Sequence, residues 1–282
     1  MTTVAITGAT GYLGGVLKAR CTCEGWETID LVRSIENTTD RRYVIGEDLD
    51  PSMLDDVDIL IHCAYDMSLT DPADVQRVNV EGTRRLLALA QAVGCSRVLV
   101  LSSMSAFEGT QQLYGRSKLA IEDIARTMGA ISIRPGLVYG PNAGGMAGAL
   151  ARAGALPIIP VPASRSYQFT VHEEDLAEAV MALLNSPAAP TVPVGVANPR
   201  PVQFKDVISG LARRHGKDVQ TIPVNWKVVY RALKLAERLP IALPFRADSL
   251  LGLARPAPSV PNLEVLAALG VTLRRFEQPT IP

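Results

Sequence analysis

The sequence has no excess of charge of either sign, and it is poor in histidine and cysteine. Its 28 basic residues balance 28 acidic residues, and only 3 histidines and 4 cysteines occur among 282 residues. A nucleic-acid-binding protein needs a clustered positive excess to neutralise phosphates, so we expect no nucleic-acid partner. The cysteines are Cys21, Cys23, Cys63 and Cys95. Because they form no C-x-x-C pair, we expect free thiols and no metal site.

Long apolar runs are also missing. The most apolar stretch, residues 146–161, carries Arg152 and is interrupted by Gly154, Pro157 and Pro160. A helix that spans a bilayer needs about 20 predominantly apolar residues, so we expect no membrane partner. A β-branched run begins three residues after Met1, where a signal peptide would carry a basic segment followed by an apolar one. The sequence thus predicts a cytoplasmic protein.

A short strand followed by three regularly spaced glycines opens the chain. Val4 and Ile6 indicate the strand, and Gly8, Gly11 and Gly14 precede an apolar helical pattern. A strand, a glycine turn and a helix are typical of a dinucleotide site, because the turn admits the pyrophosphate and the helix N-terminus attracts it. The spacing is G-x-x-G-x-x-G, which is a weak signal by itself. The residues predicted to bind the cofactor here are Gly8, Thr10, Gly11, Tyr12 and Leu13.

The residues after the second predicted strand, 27–32, favour NADP(H) as the cofactor. An acidic residue at this point would accept hydrogen bonds from the adenine ribose hydroxyls and repel a 2′-phosphate. The chain instead has Arg33 and Ser34, and a guanidinium binds phosphate through two parallel hydrogen bonds. Asp30 lies three residues before Arg33, and it keeps NAD(H) possible.

Two further strands are expected to contribute cofactor contacts. The pattern predicts a short strand over residues 43–45, after which Asp48 and Leu49 would lie beside the adenine. A buried strand over residues 57–63 ends at Cys63 and Ala64, whose small side chains would let the backbone pass under the cofactor. His62 lies in the same strand, where a buried packing residue is a commoner role than a ligand or base.

Four polar residues could carry acid–base chemistry. Tyr114 and Lys118 are four residues apart on a predicted helix and therefore share a face. A tyrosine ordinarily loses its proton near pH ~10. A neighbouring ammonium and an oxidised nicotinamide both lower that pKa, so that Tyr114 could exchange a proton with a substrate oxygen. Ser103, at the end of a buried strand, could hold the same oxygen. Lys118 could also bind the nicotinamide ribose, and Asn79 could anchor a water beside it.

Strands that alternate with helices predict an α/β fold, a doubly wound parallel sheet of the Rossmann type. We assign residues 1–141 to a dinucleotide-binding domain whose core is completed by residues 167–197. Residues 142–166 and 198–282 are assigned to a small substrate-binding region that follows this core. The predicted helix 226–239 in that region carries a basic stripe, for which a solvated face is the simpler reading and a phosphate-bearing surface the alternative. The stripe consists of Lys227, Arg231, Lys234 and Arg238.

Taken together, the motifs resemble the extended short-chain dehydrogenase/reductase family, in its NAD-dependent epimerase/dehydratase group. They are TGATGYLG at 7–14, NVEGT at 79–83, Ser102-Ser103, Tyr114-x-x-x-Lys118, RPGLVYGP at 134–141 and VHEEDL at 171–176. The resemblance implies a catalytic tetrad of Asn79, Ser103, Tyr114 and Lys118. It also implies nicotinamide contacts near Pro135 and Val138, and a homodimer formed through the helices of Asn79 and Tyr114.

Three functions remain open for a small-molecule substrate. The first is hydride transfer between NADP(H) and a carbonyl or secondary alcohol. The second is epimerisation or dehydration of a nucleotide sugar with tightly held NAD, for which Asp66, Tyr167 or His172 could serve as the extra acid or base. The third is a non-catalytic dinucleotide sensor. Arg134 and Gln168 depart from positions where the sugar-nucleotide enzymes often carry Asn and Arg, which weakens the second function.

Overall fold

The computed structural model describes residues 1–141, 143–153, 158–214, 216–237 and 245–277. Of the residues that the sequence singles out, Arg238 lies outside this described part of the chain. None of the helices within these ranges is long and apolar enough to cross a lipid bilayer.

The described strands differ widely in length. They are β1 (Thr3–Thr7), β2 (Glu27–Val32), β3 (Arg41–Arg42), β4 (Ile59–His62), β5 (Arg97–Leu101), β6 (Ile131–Pro135), β7 (Leu137–Tyr139), β8 (Ile158–Pro162), β9 (Tyr167–Gln168), β10 (Thr170–His172), β11 (Val194–Val196), β12 (Val202–Gln203) and β13 (Gln220–Val224).

The described helices are α1 (Tyr12–Cys23), α2 (Pro72–Asp74), α3 (Glu81–Ala92), α4 (Leu113–Thr127), α5 (Gly145–Ala153), α6 (Glu173–Leu184), α7 (Phe204–Arg214), α8 (Trp226–Ala236), α9 (Ala247–Ala254) and α10 (Leu263–Ala268). A 3-10 turn covers Pro51–Leu54, and a π-helical segment over Val75–Val80 leads directly into α3.

Seven of these strands form one parallel sheet, in the order β11-β6-β5-β4-β1-β2-β3. Its central strands are mostly apolar because helices cover both faces of the sheet. On one face, α1 and α6 pack against β1, β4, β5, β6 and β11. On the other face, α3 and α4 supply Leu86, Ala90, Ile121 and Ile124 to the core. This arrangement confirms the predicted doubly wound Rossmann fold.

One predicted strand is wrong. Residues 43–45 are not a strand, and β3 instead covers Arg41–Arg42, which pair with Leu31 and Val32. Tyr43 is buried in the core, and its N–H still donates to the Val32 carbonyl. The chain then turns at Gly46, where φ is +89°. The apolar pattern at 43–45 therefore reflected the burial of side chains and not the hydrogen-bonded pairing of a β-strand.

The region that follows the sheet forms a second, smaller core. Phe204, Val207 and Leu211 of α7 pack on Ile159 and Val161 of β8. The strand β13 pairs in parallel with β8, and α9 packs against α8. Through α9, this region faces the start of α4, so that it lies opposite the carboxyl ends of the sheet strands. Ligands of open α/β sheets bind outside that edge.

Candidate active site

The glycine turn after β1 has the geometry that a bound pyrophosphate requires. Gly8 has a φ of +68°, and the Gly11 N–H donates to the Gly8 carbonyl at 2.9 Å. A Cβ on Gly14 would lie 2.1 Å from that carbonyl oxygen. No side chain caps the N-terminus of α1, so its first N–H groups are available to an anion. These features fit a dinucleotide phosphate. Gly8, Gly11, Tyr12 and Leu13 line a cavity, whereas Thr10 is exposed.

A buried hydrogen-bond chain ties this turn to the neighbouring strand. The Thr7 hydroxyl oxygen accepts from the N–H groups of Cys63 and Ala64 and therefore donates its proton to Nδ1 of His62, at 2.8 Å. Nε2 of His62 then donates to Thr83 at 2.9 Å. Burial lowers the pKa of His62 to about 3. His62 is thus a neutral packing residue and does not reach the cavity.

At the adenine end, Arg33 and Ser34 directly follow β2 and are exposed. Asp30 is buried, and one of its oxygens accepts from Nζ of Lys18 at 2.6 Å. Because the Asp30 carboxylate is buried and pairs with Lys18 of α1, it is a poor hydrogen-bond acceptor for a ribose hydroxyl. Of the polar residues considered for the ribose, Arg33 and Ser34 are the ones that stand at the surface.

The remaining predicted cofactor residues fall into two groups. Cys63, Pro135 and Val138 line the cavity, and burial raises the pKa of the Cys63 thiol to about 12, so the thiol is not a nucleophile at neutral pH. Asp48 and Leu49 lie outside it. The Asp48 carboxylate is fully exposed, 3.6 Å from the Arg85 guanidinium. Leu49 packs on the core beneath the adenine end. Ala64 contributes its backbone N–H to the Thr7 hydroxyl, as described above.

The cavity has a volume of about 560 Å³ and lies between the sheet and the C-terminal region. Ser103, Tyr114 and Lys118 line one wall of it. Most of the rest of the wall is apolar. The apolar side chains include Met67, Leu69, Met104, Phe107, Leu113, Leu137, Met146, Phe169, Leu253, Pro256 and Ala257. Charged residues also line the cavity, namely Lys234, Glu237, Arg246, Asp248 and Arg255.

Tyr114 differs from the expectation in its ionisation. Burial, together with the neighbouring Tyr65, raises the pKa of Tyr114, and only the hydrogen bond with Ser103 lowers it. The Lys118 ammonium lies 5.8 Å from the centre of the Tyr114 ring. In the protein alone, loss of hydration outweighs the hydrogen bond with Ser103. The lowering expected from Lys118 together with an oxidised nicotinamide stays a prediction. Tyr114 is a protonated phenol at neutral pH.

Lys118 is buried behind Tyr114. Its Nζ donates to the Leu101 carbonyl at 2.7 Å and lies 4.7 Å from the centre of the Tyr65 ring. Burial lowers the pKa of Lys118 to about 8. At neutral pH the group is still a cation, and its positive charge faces two aromatic rings and one carbonyl oxygen.

Tyr65 is a site residue that the sequence analysis did not identify. Its ring meets the Tyr114 ring edge to face, with 5.0 Å between centres and an interplanar angle of 83°. Ser117 donates to the Tyr114 carbonyl, so the Tyr65 hydroxyl donates to the Ser117 oxygen at 2.7 Å. Tyr65 follows directly on Cys63 and Ala64, and this position after a buried strand was a signal that could have revealed it.

Asn79 does not contact Lys118. Its amide oxygen accepts from the Asp66 N–H at 2.7 Å, and its amide nitrogen donates to the Asp66 carbonyl at 3.1 Å. Asn79 is fully buried in the π-helical segment. It therefore fixes the loop that carries Tyr65, and π-helical turns are frequent at such functional positions.

A buried ion pair holds α4 against the sheet. The Glu122 carboxylate accepts from Arg134 through two hydrogen bonds, at 2.8 and 2.6 Å, and also from the Ser102 hydroxyl. Arg134, one of the residues that departs from the sugar-nucleotide pattern, is thus engaged within the protein. The other, Gln168, donates to the Leu253 carbonyl at 3.1 Å.

A carboxylate from the C-terminal region caps the helix that carries Tyr114. The two oxygens of Asp248 accept from the N–H groups of Leu113 and Tyr114, at 2.9 and 3.2 Å. The Gln112 amide also donates to the Asp248 carbonyl, at 2.7 Å. An acidic cap stabilises a helix N-terminus. No local signal links positions 134 residues apart, so the sequence could not have revealed this contact.

The three candidates for an additional acid or base lie away from the cavity wall. The Asp66 carboxylate accepts from Ser68, and Tyr167 packs on the Phe169 ring. His172 caps α6 by accepting from the Glu174 N–H, and burial lowers its pKa. None of the three is among the described residues that line the cavity.

Comparison with known proteins agrees with this geometry. The pattern of the NAD dependent epimerase/dehydratase family matches residues 4–195. A protein named "Ceramide reductase", from Caulobacter vibrioides (strain NA1000 / CB15N), is 30% identical over 224 residues, which cover 76% of this chain and 70% of that protein.

Solved structures share the fold at lower identity. One is "MoeE5 in complex with UDP-glucuronic acid and NAD", with a TM-score of 0.72 and 20% identity, over 97% of this chain and 94% of that chain. Another is UDP-N-acetylglucosamine 4-epimerase from Bacillus cereus, with a TM-score of 0.67 and 22% identity, over 80% and 86% of the two chains. The chain therefore belongs to the NAD-dependent epimerase/dehydratase family of extended short-chain dehydrogenases/reductases, whose members are enzymes.

Proposed function

We propose that the protein is an oxidoreductase that interconverts a carbonyl and a secondary alcohol with NADP(H), using Tyr114 as the acid or base. The observation that carries the proposal is the wall formed by Tyr114, its hydrogen-bonded partner Ser103, and Lys118 behind them. When bound, the nicotinamide supplies the hydride chemistry. Ser103 would donate a hydrogen bond to the carbonyl oxygen, and Tyr114 would donate the proton that completes the alcohol.

The protonation state of Tyr114 favours the direction of reduction. Its raised pKa keeps the phenol protonated at neutral pH, which suits an acid that delivers a proton to a developing alkoxide. The Lys118 cation would stabilise the phenolate that remains. Glycine-turn N–H groups, Lys118 and the backbone at Pro135 and Val138 would hold the cofactor.

NADP(H) is the proposed cofactor because of the adenine end. Arg33 and Ser34 are exposed directly after β2, where a 2′-phosphate would meet a guanidinium. Asp30, which could have favoured NAD(H), already pairs with Lys18. The neutralised carboxylate removes the repulsion that would reject a 2′-phosphate.

The apolar cavity supports a carbonyl substrate with a large apolar portion. Met104, Phe107, Leu137 and Phe169 line it, as Tyr114 does. A relative that acts as a ceramide reductase is consistent with such a substrate. Long-chain aliphatic, aromatic and steroid-like ketones are therefore the compounds to test.

The alternative, a nucleotide-sugar epimerase or dehydratase, follows from the breadth of the family. We disfavour it because Asp66 and His172 already accept hydrogen bonds within the protein. In addition, none of the three candidates lines the cavity, whose wall is mostly apolar. A non-catalytic sensor is disfavoured because it would have no use for Tyr114 and Lys118 together.

We further propose a cytoplasmic homodimer formed through α3 and α4, which sedimentation analysis of the purified protein would test.

The first experiment identifies the cofactor. The purified protein is denatured, any released nucleotide is identified by mass, and the empty protein is titrated with NADPH and NADH. We expect an empty protein that binds NADPH more tightly, with the preference reduced in Arg33→Ala. Stoichiometric NAD carried through purification would favour the epimerase and contradict the role of Arg33.

The second experiment tests Tyr114. Tyr114→Phe should lower the rate of NADPH-dependent ketone reduction by about 10²- to 10⁴-fold and leave NADPH affinity unchanged. Tyr230→Phe, which removes a phenol outside the cavity, is the matched control and should be fully active. Retained turnover in Tyr114→Phe would refute the proposed role, and so would loss of NADPH binding.

A further inference from the structure

The helix α8 has an exposed surface that the proposed reaction does not explain. At about 100° per residue, the exposed cations Lys227, Arg231 and Lys234 form one stripe along it. Val228 and Leu235, which are 62% and 64% exposed, form the adjacent stripe. No residue of α8 is buried. The helix therefore presents a basic stripe and an apolar stripe side by side to its surroundings.

The charge of this segment differs from that of the chain as a whole. The chain is neutral, yet no acidic residue occurs between Asp218 and Glu237. Within the described residues, Lys227 and Arg231 form no ion pair with a carboxylate, and Lys234 pairs with Glu237 at 3.3 Å. A merely solvated helix normally alternates charges of opposite sign. A face on which Lys227 and Arg231 carry unpaired positive charge is complementary to an anionic surface.

The exposed apolar residues point to a lipid surface in particular. Lysine and arginine stems can lie along the acyl–headgroup boundary while their charges contact phosphates, and apolar side chains beside them can insert. Ile222 of β13, only a few residues before α8, is also 50% exposed. Lys234 lines the cavity, so the same helix borders the proposed substrate site.

We propose that α8 binds peripherally to an anionic lipid bilayer. Binding through this surface would bring the apolar cavity next to the membrane. We expected no membrane partner because the sequence has no spanning segment, and a peripheral contact needs none. The proposal concerns binding alone, so it stands or falls independently of the proposed reaction.

The test is co-sedimentation of the full chain with vesicles. Phosphatidylcholine vesicles that contain phosphatidylglycerol should bind the protein, binding should weaken as salt rises, and vesicles of phosphatidylcholine alone should bind much less. Each cation near an anionic surface contributes about fivefold to affinity. Lys227→Gln/Arg231→Gln should therefore bind about 25-fold more weakly. The control Arg126→Gln/Lys205→Gln removes two exposed cations from other helices and should bind as the wild type does.

A second pair of variants tests the apolar stripe. Val228→Asn/Leu235→Asn should lose most of the vesicle binding, whereas Val93→Asn/Val192→Asn, at other exposed apolar positions, should retain it. Circular dichroism spectra should be unchanged, since all these side chains are exposed. Absence of binding to the anionic vesicles would overturn the proposal. Vesicle binding that the α8 variants do not weaken would also overturn it. So would a result in which the α8 substitutions change only the self-association of the protein in the absence of vesicles.

Discussion

Two neighbouring glycines of α1 allow a matched test of how the cofactor turn is built. Gly14 and Gly15 are both helical, and each can be changed to alanine. A Cβ on Gly14 would lie 2.1 Å from the Gly8 carbonyl oxygen and 2.7 Å from the Gly8 carbonyl carbon. A Cβ on Gly15 would lie 3.5 Å from the Ala9 carbonyl oxygen, which is an ordinary contact. The same substitution is therefore forbidden at one position and tolerated at the next.

The expected energies have opposite signs. In a helix interior, alanine is better than glycine by about 1 kcal/mol, so Gly15→Ala should raise the free energy of unfolding by roughly that amount. Gly14→Ala gains the same propensity, but the helix must move more than 1 Å away from the turn to reach the 3.4 Å of ordinary contact. Overpacking of this kind costs about 1–3 kcal/mol or more. Because the gain in propensity is common to both, the two variants should differ by the overpacking cost alone, about 1–3 kcal/mol or more.

Thermal unfolding and NADPH titration together measure this effect. At about 2–4 °C per kcal/mol for a large domain, Gly14→Ala should melt roughly 2–12 °C below Gly15→Ala. A displacement of about 1 Å at a site that positions reactants can lower the reaction rate by about 10²-fold. We also expect NADPH affinity to fall in Gly14→Ala and to be unchanged in Gly15→Ala. If the two variants melted together and bound NADPH equally, the close contact of α1 with the glycine turn would not exist.

Three further outcomes follow from the contacts around the site. Arg134→Met should lower the free energy of unfolding by about 3–5 kcal/mol because it leaves the Glu122 carboxylate buried without its cationic partner, and adding Glu122→Gln should recover part of that loss in denaturant titrations. His62 has a folded pKa of about 3, below its unfolded value of 6.5, so its contribution to stability is present above pH 6.5 and is lost as pH falls toward 3. Over that window His62→Gln should show a slope of stability against pH that is shallower by up to about 1.4 kcal/mol per pH unit; equal slopes would refute the assignment. Asp248→Ala should lower turnover and melting temperature, with NADPH affinity retained and partial rescue by Asp248→Asn; unaltered kinetics would show that the cap of α4 has no catalytic importance.

The central sheet and much of its cavity wall were predictable because their signals are local. Apolar runs of strand length revealed the buried strands, and the spacing of the glycines revealed the turn. Helical geometry alone required Tyr114 and Lys118 to share a face. Where prediction failed, at residues 43–45, the same apolar pattern was compatible with two backbone conformations. Burial of Tyr43 satisfied it without a strand.

The properties of the site residues were not predictable because they depend on what surrounds them. Loss of hydration raises the pKa of Tyr114 and lowers that of Lys118, and a spacing of four residues contains no information on burial. The environment of Asn79 likewise differs from its expected one because the loop at Asp66 closes over it.

The sequence by itself determined the alternation of strands and helices in the central sheet, the glycine turn, and the set of polar residues at the ends of the strands. These features follow from periodicity and from stereochemistry within a few residues of each other. Only the tertiary structure decided which of those residues meet, which are protonated, and that Asp248 caps the helix of Tyr114 across 134 positions of the chain. Contacts between distant segments and the hydration of buried groups are properties of the packed molecule, and no short segment of sequence encodes them.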